Sequence, residues 1–208
     1  MIENFWIFVL AALLLNLTPG NDMLYVAARS TGQGIKAGII SALGIMIGCT
    51  VHILLAMVGL SAVIAKSAFV FEIIKYIGAG YLIFLGIKAL AATKTKLEIN
   101  DASKPLSLNK IFWQGVVTNV LNPKVALFFL AFLPQFINID GTNTGWQILF
   151  LGSWFNVQGT LINIIIALLF GKIGTWLNNS PRFLLLQQKI TGIVLIALGI
   201  KVAITSKQ

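Results

Sequence analysis

Charge is scarce in this sequence. Only 10% of its 208 residues are charged, against roughly a quarter in an ordinary soluble domain. Acids are scarcer still, with 6 Asp and Glu against 15 Lys and Arg. There is one histidine, His52, and one cysteine, Cys49. That excludes an internal disulfide, dithiol redox chemistry and a His/Cys metal cluster. Cys49 lies in an apolar stretch and reads as a packing residue. The chain also lacks His-Glu-x-x-His, Gly-x-Ser-x-Gly and a clustered carboxylate pair, which argues against an intramembrane enzyme. The repeated filter or charged ring that a channel favours is missing too. Met1-Ile2-Glu3-Asn4 has no positive n-region and no small-residue cleavage site follows, so the first apolar run is expected to be kept as a span. No lipidation motif, metal or organic cofactor is expected.

What is abundant is apolar surface. Hydrophobic residues make up 58% of the chain, and the mean hydropathy is +0.92. A soluble domain of this size would leave too much of it in water. A bilayer removes that difficulty. A spanning helix takes about 20 residues, so six of them take about 120 to 140. Little remains for a soluble domain, so residues 1–208 read as one all-α membrane domain. The formal net charge of +9 then marks cytoplasmic loops and not nucleic-acid binding.

Six apolar segments are expected as spans: about Phe5 to Ala28, Gly38 to Ala65, Phe69 to Ala92, Ile111 to Phe136, Trp146 to Leu169, and Phe183 to Ile204. The first is interrupted by Thr18-Pro19-Gly20-Asn21-Asp22 and the fourth by Asn122-Pro123-Lys124. Pro134 is expected to end the fourth. A polar loop at about 93–110 is the only long one. Trp113, Trp146, Trp154 and Trp176 fall mostly near span ends, as an aromatic belt would. Ten basic residues flank the spans on one side and four on the other, with Lys124 inside a span. The ten-residue side is expected to be cytoplasmic, which puts both termini on the opposite side.

The chain also repeats itself. Residues 82–88 and 195–201 share six of seven identities at an offset of 113, and Pro19 and Pro123 are 104 apart. Leu-Gly recurs at 43–44 and 151–152. The matches keep the same order at similar offsets. They imply two three-helix repeats, about 1–92 and about 111–208. An odd number of spans per repeat forces the copies into opposite orientations, the inverted-repeat plan of secondary transporters. Gly34, Gly38, Gly44 and Gly48 are spaced for close helix packing, and such faces also allow a homodimer.

The two breaks are where polar chemistry gathers. Proline removes a backbone donor and disrupts the preceding turn, and glycine lets the chain unwind. The freed amides and carbonyls need protein, water or ligand. Two readings stand for Asp22: a functional intramembrane acid, or the cap of a helix continuing at the cytoplasmic interface. Two stand for Lys124: a partner for Asp22 near a pseudo-symmetric centre, or a snorkelling side chain. Asn119 and Asn122 belong to the second break. Broken-helix amides suit a carboxylate and freed carbonyls suit an ammonium. A small zwitterion such as an amino acid uses both. Asn156, Gln158 and Asn163 in the fifth span line the cavity or bond neighbouring helices. His52 is a proton relay or a satisfied packing residue.

Leu17-Thr18-Pro19-Gly20-Asn21-Asp22-Met23, the Gly-rich run from Gly32 to Gly48, and Asn122-Pro123-Lys124 resemble the lysine exporter family. The branch they resemble is that of the homoserine/threonine/leucine exporters, of LysE/RhtB type. The resemblance covers essentially the whole chain. One departure is Asn21, where the family often has a second proline in Pro-Gly-Pro. The resemblance implies efflux of a small amino acid across a bacterial inner membrane, driven by the proton gradient. It also implies that Pro19, Gly20, Asp22, Asn122 and Pro123 are the motif residues. The full candidate site is Thr18, Pro19, Gly20, Asn21, Asp22, Asn119, Asn122, Pro123, Lys124 and Asn156.

Overall fold

A computed structural model of the chain describes residues 5–60, 68–91, 105–138, 143–178 and 181–204, and these are helical apart from short connections. The first break separates α1 (Phe5–Leu17) from α2 (Asn21–Gln33) by a 49° bend. α3 (Ile35–Leu55) runs into a π turn, Ala56–Leu60, and α4 spans Ala68–Ala91. The second break separates α5 (Leu108–Val120) from α6 (Pro123–Leu127). α6 continues through a π turn, Phe128–Phe132, and a 3-10 turn, Leu133–Phe136, with a bend of 44° at the break. α7 (Thr144–Asn178) and α8 (Pro181–Ile204) complete the order.

Among the described residues, two helices are long and apolar enough to cross a membrane: Ile35–Gly59 and Thr144–Lys172. The count rises to four if each bent pair is one span. Pro134 sits in the 3-10 turn that ends at Phe136, where the chain becomes extended at Ile137.

Several boundaries differ from the polarity pattern. α2 runs to Gln33, beyond Ala28, and α3 starts at Ile35, before Gly38. Arg29, Ser30 and Gln33 do not mark a loop. Arg29 and Gln33 find hydrogen-bond partners inside the protein, so the helix continues. α5 starts at Leu108, inside the expected loop of 93–110, because Ser107 caps it by accepting from the Lys110 amide at 3.4 Å. Residues 93–104 of that loop lie outside the described residues. α7 outlasts Leu169 and reaches Asn178.

One glycine makes a corner. Gly34 alone connects α2 to α3, with φ +84°, a left-handed conformation that costs glycine nothing. Its amide donates to Ser30 O at 2.9 Å, and the chain folds back so that Val26 packs with Ala42 and Ile45.

Small residues set the helix seams. Gly44 abuts Phe112 and Gly115, and Gly48 abuts Val116 and Asn119, so α3 and α5 run in the same sense. Gly152 meets Ile53 and Gly171 meets Ile35, so α3 and α7 run oppositely. Gly192 meets Gly86 and Leu90 while Gly199 meets Ala79 and Ile83, so α4 and α8 run oppositely too. The two copies of the repeated seven-residue stretch therefore lie on one seam. The largest core cluster gathers Phe8, Phe128, Phe129, Phe132, Phe136 and Phe155. Phe128 stacks on Phe155 at 4.1 Å between centroids. Such pairs add roughly 0.5–1.5 kcal/mol beyond area burial.

Candidate functional site between the two broken helices

Pro19 has no amide hydrogen, so α1 cannot continue through it. Thr18 compensates locally. Its amide donates to Leu14 O and Leu15 O, each at 3.1 Å, and its hydroxyl donates to Leu14 O at 2.7 Å. The last carbonyls of α1 still need donors. Lys124 supplies them from the other break. Its Nζ donates to Leu15 O at 3.2 Å and to Thr18 O at 2.9 Å. A cation at a helix C-terminus also opposes the negative end of the dipole. Lys124 therefore bends inward, and the snorkelling reading is not what the geometry gives. It forms no ion pair with Asp22, although both line one cleft.

The second break is satisfied differently. Asn122 is the N-cap of α6, its Oδ1 accepting from the Lys124 amide at 3.0 Å, and Pro123 opens the helix. Gly20, the N-cap of α2, offers no side chain to do the same. Its value is close approach, since a Cβ there would sit 3.2 Å from Lys124 Nζ.

Asp22 stands in the first turn of α2, where an acid favours the helix dipole. Its side chain reaches across to the second break, and Asn119 Nδ2 donates to Asp22 Oδ2 at 2.8 Å. Asn119 is held in turn, because His52 Nε2 lies 3.0 Å from Asn119 O. A carbonyl only accepts, so this nitrogen carries the hydrogen. The His52 ring stacks on Phe129, 7° from parallel, which is the environment of a satisfied packing residue. Three buried atoms at this junction have no partner: Asp22 Oδ1, Asn119 Oδ1 and Asn122 Nδ2. Buried unpaired groups cost roughly 1–3 kcal/mol each, a cost that a polar ligand or water bound at this junction would recover.

The cleft is narrow. About 30 Å³ is open to water-sized molecules, room for roughly a water or two and not for an amino acid. Of the candidate residues, Asp22, Asn119, Lys124 and Asn156 line it. Thr18, Gly20 and Asn122 support it from behind through Lys124. Pro19 shapes the break. Asn21 and Pro123 are exposed and do not line the cleft. The α7 amides divide. Asn156 Nδ2 donates to Met46 O at 3.1 Å and to Thr50 Oγ1 at 3.3 Å, bonding α3 as well as lining the cleft. Gln158 Nε2 donates to Val9 O of α1 at 3.4 Å.

Gly159 and Thr160 also line the cleft, as does Asn16, which heads the polar stretch 16–22 at the first break but is not among the candidate residues. Asn156, Thr160 and Asn163 are spaced i, i+4, i+7, one face of a helix, and that polar stripe in an apolar span was the available signal. Cys49, read as packing, forms part of the wall.

A family model described as LysE type translocator matches residues 13–206. The chain belongs to the LysE type translocator family. It is 36% identical over 207 residues to the membrane protein YrhP of Bacillus subtilis, covering 95% of this chain and 97% of that one. It is 26% identical over 200 residues to a leucine efflux protein of Salmonella choleraesuis, covering 96% of this chain and 94% of that one. A leucine efflux protein of an Enterobacter species is 28% identical over 200 residues, with 96% and 95% covered. No solved structure matches. As a translocator with apolar helices and two bent helix pairs, the chain is a multi-pass membrane protein.

Proposed function

We propose that this translocator is a secondary transporter that exports a small amino acid of the homoserine/threonine/leucine kind from the cytoplasm, coupled to the proton gradient. In this reading it has six spans in two inverted repeats, about 1–92 and about 111–208. It lies in a bacterial inner membrane with both termini outside the cytoplasm. The observation that carries the reading is the junction of the two breaks. Asp22 Oδ1 and Asn119 Oδ1 are acceptors without donors, and Asn122 Nδ2 is a donor without an acceptor. The Lys124 ammonium lines the same cleft. A substrate ammonium answers the first two and a substrate carboxylate the others. A zwitterion answers both with one molecule.

The antiparallel seams of α3 with α7 and of α4 with α8 support the repeat arrangement. Equivalent spans of inverted copies run in opposite senses. The leucine efflux relatives support the substrate class at 26% and 28% identity. The test is uptake of a panel of amino acids into inside-out vesicles, with and without a pH gradient. Leucine, threonine or homoserine should accumulate, and collapsing the gradient should abolish accumulation. Accumulation of none of the panel, or accumulation indifferent to the gradient, overturns the reading or its coupling respectively.

A further inference from the structure

Two helical turns from Asp22 along α2 lies a guanidinium with no carboxylate partner among the described residues. Arg29 is 6% exposed, and among the described residues its partners are neutral. Nη1 donates to Gln33 Oε1 at 3.2 Å and Nη2 to Gln114 Oε1 at 3.2 Å. Both amide oxygens are shared. Gln33 Oε1 also accepts from the Leu106 amide at 3.1 Å, and Gln114 Oε1 from the Tyr25 hydroxyl at 3.3 Å. The single Tyr25 hydroxyl hydrogen is divided between Gln114 Oε1 and Ile111 O, the nearer at 2.8 Å, and Arg29 lies over the ring at 5.6 Å. The set ties α2 of the first half to α5 of the second, on the side away from the aromatic cluster.

Arginine is the side chain best shaped for a carboxylate, which takes two parallel hydrogen bonds from its fork. Here that fork is spread across two different amides. A carboxylate exchanges two separate bonds to neutral amide oxygens for two parallel bonds to one ionised acceptor, the geometry the fork matches. Gln114 is five residues before Asn119 on the same helix, so releasing Gln114 removes one of the ties that hold this helix, and Asn119 with it, against α2.

We propose that Arg29 is an entry site for a carboxylate, and that its occupation releases Gln33 and Gln114 and unlatches α2 from α5. That the carboxylate belongs to the exported amino acid rests on the transporter reading. The unlatching does not. A carboxylate arriving from the cytoplasm meets Arg29 before it meets the cleft, and the cleft opens in response.

Cys49 reports the opening. It is the only cysteine in the sequence, it lines the cleft, and it is 3% exposed. The experiment measures its alkylation by N-ethylmaleimide in the full chain in lipid nanodiscs, by mass spectrometry. The probe is isovalerate, a carboxylate without an ammonium. Isoamylamine, with the same carbon skeleton and an ammonium, is the control. In the unsubstituted protein, isovalerate should speed alkylation about tenfold and isoamylamine should not. Gln114→Glu keeps the side-chain shape and gives Arg29 a resident carboxylate, so alkylation should stay slow and indifferent to isovalerate. Arg29→Gln should alkylate fast without any addition. Arg29→Lys, which keeps the charge but not the fork, should respond to isovalerate several-fold less. A Gln114→Glu protein that responds like the unsubstituted one overturns the proposal. So does slower alkylation with isovalerate, which is what binding at Lys124 alone would give. A full isovalerate response in a protein that transports no amino acid overturns the exporter reading alone.

Discussion

Gly48→Ala is the sharpest probe of how the site is held. The added Cβ would lie 2.7 Å from Val116 O and 2.8 Å from Asn119 Cβ. Neither atom can swing aside, since one is backbone and the other is fixed to it. Carbon contacts relax at roughly 3.5–4.0 Å, so α3 and α5 must part by about 0.7 Å. Asn119 moves with α5, and its 2.8 Å bond to Asp22 stretches to the limit of a hydrogen bond. Overpacking of this kind costs about 1–3 kcal/mol, and a hydrogen bond to a charged group contributes about 1.5–3 kcal/mol. The expected outcome is a lower unfolding midpoint and at least a tenfold fall in transport, read by thermal unfolding in detergent and by counterflow in proteoliposomes. Gly80→Ala is the internal control. A Cβ there meets nothing within 4 Å, and alanine is the better helix former by up to about 1 kcal/mol. Gly80→Ala should transport normally and be no less stable. If Gly48→Ala matches it in both assays, the α3–α5 seam does not position Asn119.

Three further substitutions divide the labour at the junction. Asp22→Asn keeps an acceptor for Asn119 but removes the charge, so the protein should insert and unfold normally while proteoliposome efflux is lost; normal efflux would remove Asp22 from the site. Asn122→Ala removes the cap of α6 and should cost about 1 kcal/mol, seen as a lower midpoint, and an unchanged midpoint would deny the capping role. Gly20→Ala places its Cβ 3.2 Å from the mobile end of Lys124 on extended backbone that alanine adopts freely. It should therefore leave the fold intact and depress transport by displacing Nζ, and a failure to fold would show that the break needs glycine for another reason.

Local chemistry was legible in the sequence and partner choice was not. Pro19 and Pro123 each remove a donor, an effect needing no tertiary information, and the breaks fall where those prolines are. The spacing of Gly38, Gly44 and Gly48 likewise anticipated close helix seams, whereas Gly34 makes the corner and meets nothing within 4 Å. The reach of Lys124 was open, because an ammonium on a four-carbon stem can turn to water or to a neighbouring helix. Only packing brings Leu15 O and Thr18 O within its range. Arg29 and Gln33 read as loop because polarity alone marks a loop. They are helical because Gln114 and Leu106, distant in sequence, satisfy them. The stripe of Asn156, Thr160 and Asn163 was visible as spacing. Which of the α7 amides faces the cleft depends on what α1 and α3 offer as acceptors.

The two breaks are not independent copies of one device. The second caps itself through Asn122, whereas the first borrows its cap from Lys124 across the junction. Asp22 likewise borrows its donor from Asn119. Any rocking of one half against the other must therefore break Lys124 away from α1 and Asn119 away from Asp22 together. Left empty, that motion exposes carbonyls and a carboxylate in an apolar surround, at about 1–3 kcal/mol for each group. A ligand with an ammonium and a carboxylate supplies replacements at both places, and a proton on Asp22 supplies part of one. In the proposed exporter, the same contacts that close the cleft make its movement conditional on cargo, which is what a carrier needs in order not to leak.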